Sequence, residues 1–186
     1  MCSPCYCSAV FVPYADMKYN EEQKMVILEK CVSFLNEVGI QTSFKSLTTD
    51  TFLPGFHIEN GTIVIDKSML KHPGDILHEA GHIAVVSSAN RRRLTEKSII
   101  KSRDREAEEV MAIAWSYAAC LHLNIDPVFV FHEDGYRDGS SSIIESCEKN
   151  EYIGMFMLQS VGMAVDRKHK KYEGTSHIHM TRWLRE

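Results

Sequence analysis

Ile76-Leu77-His78-Glu79-Ala80-Gly81-His82-Ile83-Ala84-Val85-Val86 is the stretch on which the reading of this 186-residue chain turns. It is apolar on nearly every side except at His78, Glu79 and His82, which predicts a helix buried in the middle of a domain. Pro73 and Asp75 suit its first turn, because proline lacks an N–H that would be orphaned there and a carboxylate favours the positive end of the helix. Histidines four residues apart share one helical face, from which both imidazoles reach a single ion at about 2.0–2.1 Å. The glutamate after the first histidine points about 100° round the helix, beside the ion, where it can deprotonate a water. Left without partners in an apolar interior, such groups would cost roughly 2–7 kcal/mol each, and a cation removes that cost.

Outward from this helix the chain reads as α+β. Before it, Met25, Val26, Leu28, Cys31, Val32, Leu35 and Val38 recur at helical spacing from Asn20 onward, and Gly39 is placed to end that helix. Thr42 to Leu47 and Gly55 to Asp66 read as extended, and Asn60-Gly61 between β-prone residues predicts a hairpin in a small antiparallel sheet. Asn60-Gly61-Thr62 also matches a glycosylation acceptor, but the turn explains it. After the histidine helix, residues 89–102 are polar and basic, a loop or lid candidate. Asp104 to Leu123 forms a further helix, stopped at Asp126-Pro127. Val128 to His132 is a strand-like apolar run, residues 133–142 form a turn-rich loop, and two short helical pieces follow at Ile143–Lys149 and Tyr152–Val161. The expected organisation is a flexible segment over 1–19, one domain over 20–165, and a charged, His-containing, partly mobile tail over 166–186.

Composition excludes several classes of function. Lys plus Arg number 21 and Asp plus Glu 25, a net charge of −4, which disfavours nucleic acid as a partner; Arg91-Arg92-Arg93 and Lys168 to Lys171 read as solvated runs. No apolar stretch approaches the roughly 18 residues of a membrane span, and no secretory leader is evident, so the expectation is a cytoplasmic protein off the membrane. Cys31, Cys120 and Cys147 read as reduced core thiols. Cys2, Cys5 and Cys7 lack a fourth ligand at zinc-ribbon spacing and read as part of the flexible segment.

A working zinc site needs a third protein ligand and an open position. A metzincin would carry Gly and His where this chain has Val85 and Ser88, so that ligand does not come from the same helix. On the helix from Asp104, the apolar face sends Glu108 and Asp104 toward solvent and leaves both Glu106 and Glu109 at the border of the core.

At this point the chain resembles a family. His78-Glu79-Ala80-Gly81-His82, followed by Glu109 with Ala112 three residues on and Trp115 six residues on, resembles the ImmA/IrrE-type small zinc metallopeptidases over roughly residues 56–120. Beyond 120 the chain is similar only to uncharacterised bacterial relatives of such proteins. The resemblance implies a zincin-like, gluzincin-like fold, Zn²⁺ as cofactor, Glu109 as the third ligand beside His78 and His82, and hydrolysis of a peptide or protein substrate with Glu79 as general base. Such a site also supplies a donor to the developing oxyanion, and His132 and Tyr136 in Phe131-His132-Glu133-Asp134-Gly135-Tyr136 are the candidates by residue type. The reading from another class keeps the zinc but makes the protein a regulatory or interaction module without turnover. His57 and His122 read as structural, and His169, His177 and His179 as tail histidines without helical pairing.

Overall fold

The computed structural model describes residues 19–47, 51–136, 139–149, 151–165 and 179–186. The expectations for Cys2, Cys5, Cys7, His169 and His177 lie outside the described residues. The architecture is α+β, mostly helical with a small sheet.

Helix α1 (Glu21–Val38) opens with a capping box: the Asn20 side chain accepts from the Gln23 N–H at 2.8 Å, and the Gln23 side chain accepts from the Asn20 N–H at 2.9 Å. Gly39 ends it at φ +97°, a left-handed conformation that favours glycine. Its buried face is Leu28, Cys31, Phe34 and Leu35. Val26, placed on that face by periodicity, lies exposed, and Phe34 fills the core instead.

Strands β1 (Thr42–Phe44), β2 (Phe56–Glu59) and β3 (Thr62–Ile65) form one sheet in the order β1-β3-β2. The Asn60-Gly61 hairpin is present, with both residues at positive φ (52° and 73°), as its tight turn demands. The sheet is mixed rather than antiparallel, because β1 pairs with β3 in parallel, Thr42 opposite Ile63. β2 lies at the edge opposite β1, and the hairpin returns the chain to β3 at the centre.

Helix α2 (Asp75–Val85) is the His78–His82 helix and is buried on nearly every side. Two short helices, α3 (Ser88–Arg91) and α4 (Glu96–Ile100), replace the loop expected over 89–102. A box between Thr95 and Ser98 caps α4. Helix α5 (Arg105–Leu123) crosses α2, and Gly81 makes the crossing close: a Cβ there would lie 2.8 Å from the Ala112 carbonyl oxygen. Ser116 Oγ reaches across the same contact to the Leu77 carbonyl at 3.1 Å. Gly81→Ala is therefore expected to cost about 1–3 kcal/mol by overpacking and to lower the melting temperature. An unchanged melting temperature would mean that the crossing relaxes freely.

Beyond α5, Pro127–Phe129 is a 3₁₀ turn rather than strand-like, because Asp126 caps it by accepting from the Val128 N–H at 3.0 Å. Glu133–Tyr136, expected as loop, is a single helical turn, α6. Helices α7 (Ser140–Glu148) and α8 (Ile153–Ser160) follow, then the paired strands β4 (Ala164–Val165) and β5 (His179–Met180).

The last eight residues of the segment expected as a tail are described and pack on the domain. Trp183 sits against Phe34, Trp115 and His122, and its carbonyl accepts from Trp115 Nε1–H at 2.9 Å. The Arg185 N–H donates to the Ala84 carbonyl at 2.9 Å, satisfying the C-terminal end of α2. Arg91 closes the same end by donating to the carbonyls of Ile83, Val86 and Arg185. The His122 ring lies against Phe34 and Trp183. Cys31, Cys120 and Cys147 are buried free thiols. Among the described residues no helix is long and apolar enough to cross a membrane.

Candidate metal centre

The close crossing of α2 and α5 decides which side chains meet. Ala112 touches Gly81, so Glu109, one turn earlier on α5, comes to rest over the exposed edge of the histidine pair. The two Nε2 atoms of His78 and His82 are 3.2 Å apart, and the Glu109 carboxylate closes the figure with one oxygen 3.3 Å from His78 Nε2 and the other 3.4 Å from His82 Nε2. Glu79 lies a little outside, with its ligand atom and those of the two histidines all within 4.8 Å of one another. Glu106 lines the same cleft of about 530 Å³, together with Phe52, Leu53, Ile99, Ile100 and Arg105.

The electrostatics make this arrangement unlike an ion-pair network. Burial pushes the His78 imidazolium down to about 4, and burial together with the neighbouring His78 pushes His82 down further, so both rings are neutral at pH 7. Two neutral imidazoles and a carboxylate thus turn lone pairs toward one point, with at most one N–H between the two Nε2 atoms to share. The donor set suits a divalent cation. Donors around a tetrahedral ion at about 2.0–2.1 Å stand about 3.3–3.4 Å apart, and the 3.2 Å between the two histidine Nε2 atoms is close to that edge length, with a Glu109 oxygen at 3.3–3.4 Å from each ring.

No protein-family model, no curated protein and no solved structure matches the chain.

Of the sequence-predicted residues, the structure brings His78, His82, Glu109 and Glu79 together and adds Tyr136, whose hydroxyl lies 3.0 Å from His78 Nδ1. His132 is placed differently from the expectation of an oxyanion donor. Its Nδ1 accepts from the Gly135 N–H at 3.1 Å, so the ring proton sits on Nε2, which donates to Asp75 Oδ1 at 2.8 Å. Both nitrogens are therefore already engaged, with Asp75 and Gly135, which line the cleft while His132 itself stands behind them. Tyr136 does line the cleft, and burial raises its phenol, which keeps the hydroxyl proton in place. Sequence reasoning missed two partners, Asp75 as the acceptor for His132 and His72 stacked on His132 with ring centroids 3.8 Å apart. The available signal was the run His72-Pro73-Gly74-Asp75 ahead of α2, where Asp75 read only as a dipole residue. His57, expected to be structural, has Nδ1 3.1 Å from a Glu96 oxygen and ties β2 to α4 at the rim.

Burial, reinforced by Glu96, Asp75 and Glu109, pushes the Glu79 carboxyl up from 4.5 to about 8. The folded, metal-free protein then holds a proton that the unfolded chain has released between those values, and this contribution to stability is lost as pH rises toward about 8. The depressed histidines act oppositely, favouring the folded state above their ordinary 6.5 and weakening it as pH falls toward about 4. Within the fold, Glu79 alone of these three groups changes protonation between pH 6.5 and 8, and the histidines of the unfolded chain offset part of its effect near 6.5. Thermal unfolding in chelator is expected to show stability falling across that window in the wild type and a flatter profile in Glu79→Gln. Parallel profiles would mean that Glu79 is already ionised in the fold.

Proposed function

We propose that this protein is a zinc-dependent hydrolase, a metallopeptidase that cleaves peptide bonds, and that its α+β fold is zincin-like. The observation that carries the reading is the convergence of two neutral imidazoles, His78 and His82, with Glu79 within 4.8 Å of both and the Glu109 carboxylate astride the pair, one oxygen 3.3 Å from His78 Nε2 and the other 3.4 Å from His82 Nε2. His78, His82 and Glu109 would hold the ion. Zinc bound there supplies Lewis acidity, which lowers the pKa of water toward neutrality and polarises a carbonyl.

The remaining steps belong to the chain's own side chains. Glu79 takes the proton of the attacking water and passes it to the leaving amine. The Tyr136 hydroxyl, if it accepts from His78 Nδ1–H, keeps its own proton free to donate toward a developing oxyanion. Phe52, Leu53, Ile99 and Ile100 give the cleft an apolar lining. The substrate is a peptide or protein, reached without nucleic acid or membrane. The three buried free thiols suit the cytoplasm, a reducing compartment.

The test is elemental analysis of untagged protein purified without chelator. One zinc per chain is expected in the wild type and in Glu106→Ala, with loss in His78→Ala and sharply lowered affinity in Glu109→Ala. Retention in Glu109→Ala with loss in Glu106→Ala would move the third ligand one turn along α5. A well-folded wild type that takes up no zinc even when it is offered would overturn the proposal. Stoichiometric zinc without hydrolysis of any peptide would leave the regulatory-module reading.

A further inference from the structure

Two histidines that bind one ion through Nε2 must each carry the ring proton on Nδ1, and in this protein the two Nδ1 atoms are treated unequally. His78 Nδ1 faces the Tyr136 hydroxyl at 3.0 Å. Among the described residues, the buried side-chain polar atom without a hydrogen-bond partner is Nδ1 of His82. Among the described residues, Nδ1 of one ligand thus has a hydroxyl partner able to accept its N–H, and Nδ1 of the other has none.

Tyr136 sits at the end of α6, a single turn too short to hold itself in water. Its position is imposed from its first residues. His132 precedes the turn and caps it, Nδ1 accepting from the Gly135 N–H, while Nε2–H anchors the ring to Asp75 Oδ1 on the first turn of α2. Gly135 leaves room for that ring, since a Cβ there would lie 3.0 Å from His132 Cε1. His72 covers the opposite face of the ring in a parallel stack at 11°, and its Nε2 lies 3.1 Å from Asp134 Oδ2, inside the same turn. The turn that carries Tyr136 is therefore bolted at both edges to the segment leading into α2, three residues before His78.

We infer that His132 is a positioning residue: through Asp75 and α6 it holds the Tyr136 hydroxyl against His78 Nδ1, where that hydroxyl accepts the Nδ1–H of the tautomer whose Nε2 lone pair faces the metal centre. As a claim about metal affinity this rests on the zinc reading above; as a claim about the tautomer it does not. Partners of this kind on metal-binding histidines are worth about 10- to 100-fold in affinity.

The experiment uses two readouts on the full chain. Nitrogen-15 NMR of the imidazole rings in metal-free protein reports which nitrogen of His78 is protonated, and competition with a chromophoric chelator reports zinc affinity. The wild type is expected to show the Nδ1–H form at His78. Tyr136→Phe and His132→Ala should each give mixed tautomers and zinc binding weakened about 10- to 100-fold. The double variant should bind no more weakly than Tyr136→Phe alone, because both act along one path. His132→Asn, which keeps an acceptor for the Gly135 N–H, should fall between His132→Ala and wild type and guards against simple misfolding. An unchanged His78 tautomer with affinity within twofold of wild type in His132→Ala would overturn the inference, as would losses that multiply in the double variant. A wild type that shows the Nδ1–H form yet binds no zinc would sink the zinc reading and leave the tautomer claim standing.

Discussion

Glu79→Gln is expected to keep one zinc per chain and a wild-type fold while slowing peptide hydrolysis by at least about 10²–10⁴-fold, the contribution of a positioned general base. The argument is geometric. Glu79 lies within 4.8 Å of the two histidines, but the carboxylate that closes the figure with their Nε2 atoms at 3.3 and 3.4 Å is that of Glu109. Glu79 is thus placed to serve the reaction rather than to hold the ion, and glutamine fills the same volume without accepting a proton. Its carboxyl, pushed up to about 8 in the metal-free protein, is brought down by a nearby dication, which favours the ionised form. Loading the site therefore also charges the base. Full activity in Glu79→Gln would remove the water-activation scheme, and loss of zinc together with activity would make Glu79 a ligand.

Chelation is the second large effect. His78, His82, Glu79 and Glu109 turn toward one another from the packed crossing of α2 and α5, and a bound cation would balance their converging lone pairs. A ligand that binds only the folded state at roughly 1,000 times its Kd adds about 4 kcal/mol. At about 2–4 °C per kcal/mol for a domain of this size, removing the metal is expected to lower the melting temperature by about 10 °C. Readdition of zinc, but not of magnesium, should restore it, since an imidazole-rich set disfavours the harder ion. An unchanged melting temperature after verified metal removal would mean that the site is not coupled to folding.

The parts of this structure that were legible in the sequence are those specified locally. Asn60-Gly61 announces its turn because few other pairs tolerate positive φ twice in succession. His78 and His82 announce a chelate because helical geometry alone sets their spacing. Glu109 was half legible: periodicity left it level with Glu106, and the resemblance that favoured it turned on Ala112, whose physical role is to lie against Gly81 and let α5 approach. What was not legible depends on contacts across long stretches of chain. The parallel pairing of β1 with β3 requires knowing where the hairpin lands. His132 looked like a free donor because its acceptor, Asp75, is 57 residues away. Trp183 and Leu184 were apolar signals in a charged tail, and their docking against Phe34 and Trp115 follows from the same burial rule that identified α2. The helical turns α3, α4 and α6 are each held by caps or neighbours rather than by propensity, which a periodicity reading overlooks.

The closure of α2 by Arg185 sets a schedule for biosynthesis. Arg91 covers the Ile83 and Val86 carbonyls from just beyond α2, but the carbonyl of Val85 waits for a guanidinium 100 positions later in the chain, so at about 5–20 residues per second this last contact is missing for roughly 5–20 s of synthesis. During that interval an almost wholly apolar helix is without its final cover. The nascent protein is then most exposed to aggregation, and most in need of a chaperone, at the segment on which its chemistry depends.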